Sequence, residues 1–95
     1  MQFFPADLAR FAALRLAYDA LQSGGSAPVV YNGANEAAVD LFFARKLGFL
    51  DIERAVSYAL EHHTQRAVQT LGAIMDADAE ARRLVDAYRV NKEKQ

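Results

Sequence analysis

Between Ile52 and His63 the side chains Ile52, Ala55, Val56, Ala59, Leu60 and His63 fall at i, i+3, i+4, i+7, i+8 and i+11 without a slip. That repeat gathers all six on one face of an α-helix and scatters them over both faces of a strand. A stripe of this kind has to be buried, so the rest of the chain must supply a covering surface of the same period. Asp51 stands just before the stripe and reads as its N-cap.

The flanking segments offer such surfaces. Asp7 can cap a first helix running to about Ser23, where Gly24 and Gly25 provide a C-terminal stop. Leu8, Ala12, Arg15, Asp19 and Gln22 share its narrow polar strip, which predicts the most buried helix of the chain. Arg15 and Asp19 can pair along that strip. Pro28 followed by Val29, Val30 and Tyr31 reads as a short extended segment near Val29–Tyr31, because proline interrupts helices and β-prone residues follow it. Asn32 then reads as the cap of a second helix over about Gly33 to Leu47, with Glu36 and Asp40 in its first half, Arg45 and Lys46 in its last turn, and Gly48 ending it.

Beyond His63 the residues Ala67, Val68, Leu71, Ile74 and Met75 keep helical spacing despite Gly72, so a turn or a short separate helix is expected. Asp76 or Asp78 reads as the cap of a last helix. Its Ala81, Leu84, Val85 and Tyr88 lie opposite Arg82, Arg83, Asp86 and Arg89, and the tail from about residue 90 to 95 is polar and expected to fray. The expected fold is all-α: a single domain over residues 1–95, a small bundle of about four main helices. Leu60 and Leu84 are expected in its core, where truncation of either to alanine costs roughly 2–5 kcal/mol.

Composition excludes several function classes. With 95 residues, one modest core is the limit, and alanine dominates the 53% hydrophobic share. Eleven basic and twelve acidic residues leave a net charge of −1, which gives no field to draw the domain to nucleic acid or an anionic membrane. There is no cysteine, hence no disulfide, thiolate metal site or cysteine nucleophile. No run approaches the roughly eighteen apolar residues of a membrane span, and the N-terminus lacks the order of a signal peptide, so a cytoplasmic protein is expected.

The candidate chemistry is thin. His62 and His63 are neighbours, pointing about 100° apart on a helix, and do not share a metal as i, i+4 histidines do. Asp76, Asp78 and Glu80 alternate like the start of a calcium loop but lack its glycine and its closing glutamate. Glu36 and Asp40 form an i, i+4 carboxylate pair with no nucleophile near them in sequence. The glycines of GGSAP follow a helix and lack the phosphate-loop pattern. No catalytic, cofactor-binding or metal-binding residue is assigned. Phe3, Phe4, Phe42 and Phe43 exceed what a small core can cover and point to an interaction surface. Asn35 and Glu36, directly after the Asn32 cap, have no reason from capping alone.

The order RFAALRLAYDAL, GGSAPVVYNGANEAAVDLFFARKLGFLDI, DADAEARRL resembles the C-terminal helical domain of the 1-deoxy-D-xylulose 5-phosphate reductoisomerase family, from about Phe4 to about Tyr88. Ala12 stands where that family usually has proline, and Gly33 where alanine is usual. The resemblance implies a parent enzyme that uses NADPH and a divalent cation, magnesium or manganese, to make 2-C-methyl-D-erythritol 4-phosphate in non-mevalonate isoprenoid synthesis. It implies no cofactor in this chain. Its dinucleotide-binding and metal-binding segments have no counterpart here, so the domain is expected to be inactive alone and to support a catalytic domain as its partner. Asn32, Asn35 and Glu36 are the docking candidates. A free-standing helical module forming a homo-oligomer is the runner-up, and DNA binding is disfavoured by the charge balance.

Overall fold

The structure of the chain, a computed structural model, describes residues 15 and 17–93. Four helices follow one another: α1, described over 17–23, α2 (Ala27–Phe43), α3 (Phe49–His62) and α4 (Leu71–Glu93). Among the described residues there is no strand, and α2, α3 and α4 all pack against one another. The Asp7 cap, Phe3, Phe4, Leu8 and Ala12 lie outside the described residues. Over the described turn of α1 only Ala20 is buried, while Tyr18 and Leu21 are largely exposed. Arg15 and Asp19 pair as expected, at 4.0 Å on an exposed face.

Gly24 and Gly25 end α1 with φ of 67° and 56°, the left-handed region that glycine enters without strain. A side chain at Gly25 would also meet the carbonyl of Arg66 at 2.8 Å. The next residue, Ser26, is fully buried and begins α2. Its hydroxyl donates to Gln65 Oε1 at 2.8 Å and accepts from the Arg66 amide at 3.1 Å, while its own amide donates to the same Gln65 oxygen at 3.0 Å. The segment after α3 is thereby clamped to the α1–α2 turn.

Four boundaries correct the sequence reading. Val29–Tyr31 is helical, not extended, because Pro28 occupies the first turn of α2, where the missing amide hydrogen has no partner to lose and the fixed φ suits the helix. Burial decides the rest: Val30 is completely enclosed, which outweighs its β preference. Asn32 is consequently an exposed residue inside α2 and caps nothing. At the other end, α2 stops at Phe43, before Arg45 and Lys46. Lys46 N–H reaches Leu41 O at 2.8 Å and Arg45 N–H reaches Phe42 O at 3.0 Å, a Schellman closure with arginine at φ 63° where glycine is usual.

Gly48, not Asp51, is the N-cap of α3. Asp51 sits in the first turn and reaches back to accept the Gly48 amide at 3.3 Å, the half of a capping box that a glycine cap allows. In α4 neither Asp76 nor Asp78 is a cap. Thr70 takes that role, its hydroxyl accepting from Ala73 N–H at 3.1 Å, so Leu71, Ile74 and Met75 join the last helix and only 63–70 forms the turn. Residues 90–93 remain helical.

The core is built from small side chains. Ala34, Ala38, Ala55, Ala59, Ala77 and Ala81 are buried, with Val30, Val56 and Val85 the largest apolar side chains fully enclosed. The α3 stripe read from the sequence is the buried face, with Ala55, Val56 and Ala59 inside and Ile52 and Leu60 packed at its edge. Leu60 and Leu84 are half-buried against this core. Truncating either to alanine is expected to cost about 2 kcal/mol, the low end of the core range, because solvent already reaches part of each side chain. Urea unfolding of the two variants checks this, and unchanged midpoints in both would refute the packing.

Candidate functional site

A long open groove separates the first half of α2 from the first half of α4. Its apolar floor is Pro28, Val29, Ile74 and Met75, and its polar wall is Asn32, Asp78 and Arg82. Its volume is about 670 Å³. Met75 is 63% exposed and the neighbouring Leu71 73%, so the floor continues onto open surface.

Arg82 organises the wall. Its Nε donates to Asp78 Oδ2 at 2.9 Å within α4, and its Nη2 donates to Glu36 Oε2 at 2.7 Å across to α2. The hydrogen bonds it donates to Asp78 and then Glu36 raise its pKa above the ordinary arginine value. A Cβ at Gly33 would run into Asp78 Oδ1 and come within 3.3 Å of Ala81 Cβ. Gly33 is therefore the residue over which Asp78 folds toward α2.

Asn32 and Glu36 occupy one strip of α2, four residues apart, and both are exposed; Asn35 is half-buried beside them. Neither asparagine side chain hydrogen-bonds to another described residue. The structure thus brings two of the three docking candidates, Asn32 and Glu36, to the edge of one groove. It adds Asp78, Arg82, Ile74 and Met75, which the sequence reading left out. The i, i+4 spacing of Asp78 and Arg82 was visible in the sequence. The Glu36–Arg82 contact joins residues 46 apart and has no local signal.

A second polar centre lies at the opposite end. Asp51 is 6% exposed and receives the Tyr88 hydroxyl at 3.2 Å, the Lys92 ammonium and the Gly48 amide, with Arg54 at 3.8 Å. Burial alone would push its carboxyl upward. The Lys92 charge and the hydrogen bonds from Lys92, Tyr88 and Gly48 outweigh it, leaving the pKa below the ordinary value. Burial and then the Asp51 charge raise the Tyr88 hydroxyl. Asp51 on α3 accepts from both Tyr88 and Lys92 of α4, so this centre fastens α4 to α3.

The remaining candidates are dispersed. His62 donates to Tyr58 O at 2.9 Å and stacks on the Tyr58 ring, while His63 donates to Leu60 O at 2.7 Å. Of the acidic run, Asp78 faces α2 and Glu80 turns to Arg66 and the Thr64 amide, so the carboxylates do not converge. Among the described residues no group of three metal-ligating side chains comes together. Phe42 contacts Phe43 and Phe49 edge-on at 5.5 and 5.9 Å, and Phe43 stays 76% exposed.

The family model for the DXP reductoisomerase C-terminal domain matches residues 1–84. The chain is 46% identical to the 1-deoxy-D-xylulose 5-phosphate reductoisomerase of Ectopseudomonas mendocina over 93% of its own length and 22% of that protein's. Against the enzyme of Rhodospirillum centenum it is 47% identical over 87% of its length and 21% of the relative's. Among solved structures, the Zymomonas mobilis reductoisomerase in complex with NADPH superposes with a TM-score of 0.80 at 42% identity, over 84% of this chain and 21% of that one. The chain spans about a fifth of the length of the relatives it matches.

Proposed function

This chain belongs to the DXP reductoisomerase C-terminal domain family, and from that premise we propose that it is the helical support of a reductoisomerase that converts 1-deoxy-D-xylulose 5-phosphate with NADPH. The observation that carries the reading is the family match across residues 1–84. The support acts by holding a catalytic domain in its working geometry, since catalytic groups must be fixed by a shell that does not itself react. Asn32, Asn35 and Glu36 are the polar contacts assigned to that docking.

NADPH and a magnesium or manganese ion belong to the parent enzyme in this reading. The described residues hold no three-donor cluster, and the sequence has no GxGxxG turn after a strand. No step of the reaction is assigned to a side chain of this chain. A cytoplasmic location is part of the proposal; among the described residues no helix is long and apolar enough to cross a membrane.

Two measurements test the proposal. The purified chain, given 1-deoxy-D-xylulose 5-phosphate, NADPH and magnesium or manganese, is expected to oxidise no NADPH above the blank. A chimera in which it replaces the matching fifth of the Zymomonas mobilis enzyme is expected to turn over. Activity of the chain alone, or a folded but dead chimera, would overturn the reading.

A further inference from the structure

Two exposed apolar surfaces compete for the role of docking face. One is the aromatic corner of Phe42, Phe43 and Phe49; the other is the groove between α2 and α4. The corner is apolar and packed edge-on against itself, with ring contacts of 5.5 and 5.9 Å. The groove combines an apolar floor with polar groups that have capacity left: the Asn32 amide makes no hydrogen bond to a described residue, and Arg82 is shared between two carboxylates. A protein interface of defined register needs both features, apolar anchors and a polar rim that specifies orientation.

Charge selects the occupant. Arg82 neutralises only one of Glu36 and Asp78, and Asp40 lies exposed one turn further along the same strip of α2. The wall therefore carries surplus negative charge. A second copy of this chain docked through a two-fold axis would set this same patch, with its surplus negative charge, against itself, which like-charge repulsion opposes. A segment with apolar side chains and a basic residue satisfies the floor and the wall together.

We propose that the α2–α4 groove is the face that docks the catalytic domain, and that it receives an apolar segment bearing an arginine or lysine which pairs with Glu36 beside Asn32. This rests on the reading of the chain as the support of a reductoisomerase. It adds α4 to the docking surface, with Ile74 and Met75 as anchors, and it assigns the partner's chemistry.

The test compares each variant in two settings, the chain alone and the chimera with the Zymomonas mobilis enzyme. Met75 is exposed in the chain, so Met75→Asp is expected to leave its helical signal and its unfolding midpoint nearly unchanged; Glu36→Arg gives up the exposed bridge to Arg82 and is expected to keep the helical signal and lower the midpoint only slightly. In the chimera each is expected to lower turnover about tenfold or more, as the loss of an interface anchor or a reversed rim charge does. Phe43→Asp is expected to leave the chimera's turnover within about twofold. An active chimera indifferent to Met75→Asp and Glu36→Arg would sink the groove while leaving the support function standing. A loss confined to Phe43→Asp would transfer docking to the aromatic corner. Sedimentation of the chain alone supplies the last arm: a dimer dissolved by Met75→Asp would make the occupant a second copy and overturn the assignment. An unsubstituted chimera that folds without turnover counts against the support function itself.

Discussion

Replacing Ala81 by leucine is expected to lower stability by about 3 kcal/mol, the upper part of the range for overpacking. Ala81 is completely buried on α4, and its Cβ lies within 3.3 Å of where a Cβ on Gly33 of α2 would stand. Glycine and alanine set the spacing of these two helices, so three added carbons meet backbone that cannot swing aside. The small core leaves little reserve, since domains of this size are held by about 5–10 kcal/mol. Thermal unfolding followed by helical circular dichroism checks the figure. Arg83→Leu on the exposed face of the same helix controls for the side chain itself and is expected to shift stability by no more than about 0.5 kcal/mol. Equal midpoints for Ala81→Leu and the parent would show that the α2–α4 crossing is looser than described.

The second large effect belongs to Asp51. Its replacement by alanine strands the Gly48 amide and removes the acceptor of Tyr88 and Lys92, which together tie the start of α3 to the end of α4. A loss of about 2 kcal/mol is expected: roughly one for the cap and the rest for charge-assisted hydrogen bonds, discounted because Lys92 is half-exposed. The effect carries a pH signature. The folded pKa of Asp51 lies below its ordinary 3.8, so the folded state binds the proton less readily than the unfolded chain. Its stabilisation is therefore full above pH 4 and drains away as pH falls through 3.8 toward the lower folded value. Urea midpoints from pH 6 to pH 2.5 should fall less steeply in Asp51→Ala than in the parent. Parallel curves would show that Asp51 is not the titrating link.

Both effects centre on residues whose identities were plain in the sequence but whose partners were not. The α3 stripe could be read from Ile52 to Leu60 because an amphipathic helix on a mixed core repeats its apolar residues at a period set by the backbone; its last expected member, His63, is the extended cap after the helix. The double-glycine stop was legible for a similar local reason: Gly24 and Gly25 adopt positive φ, which few other residues tolerate. Pro28 was read the wrong way because it is compatible with two local outcomes, a break or a first turn, and only the burial of Val30 chooses between them. That error propagated, since an extended Val29–Tyr31 made Asn32 look like a cap. Asp51 and Asp78 were likewise read as caps, because a short acidic side chain near a helix start has that meaning locally.

The proposed docking surface divides in the same way. Asn32, Asn35 and Glu36 stood out because capping and helix propensity did not account for them together, and that residue of unexplained polarity pointed to α2. Ile74 and Met75 did not stand out, because an apolar residue at helical spacing reads as core until the fold shows it exposed. By itself, then, the sequence determined that the chain is helical, where the α3 stripe lies and that its core is made of small side chains, all consequences of backbone period and side-chain volume. Tertiary structure alone decided where α2 begins, that Ser26 is clamped by Gln65, that Arg82 bridges to Glu36 and that Ile74 and Met75 face a groove. Each of these depends on contacts between residues far apart in the chain, and such contacts leave no trace in local propensity.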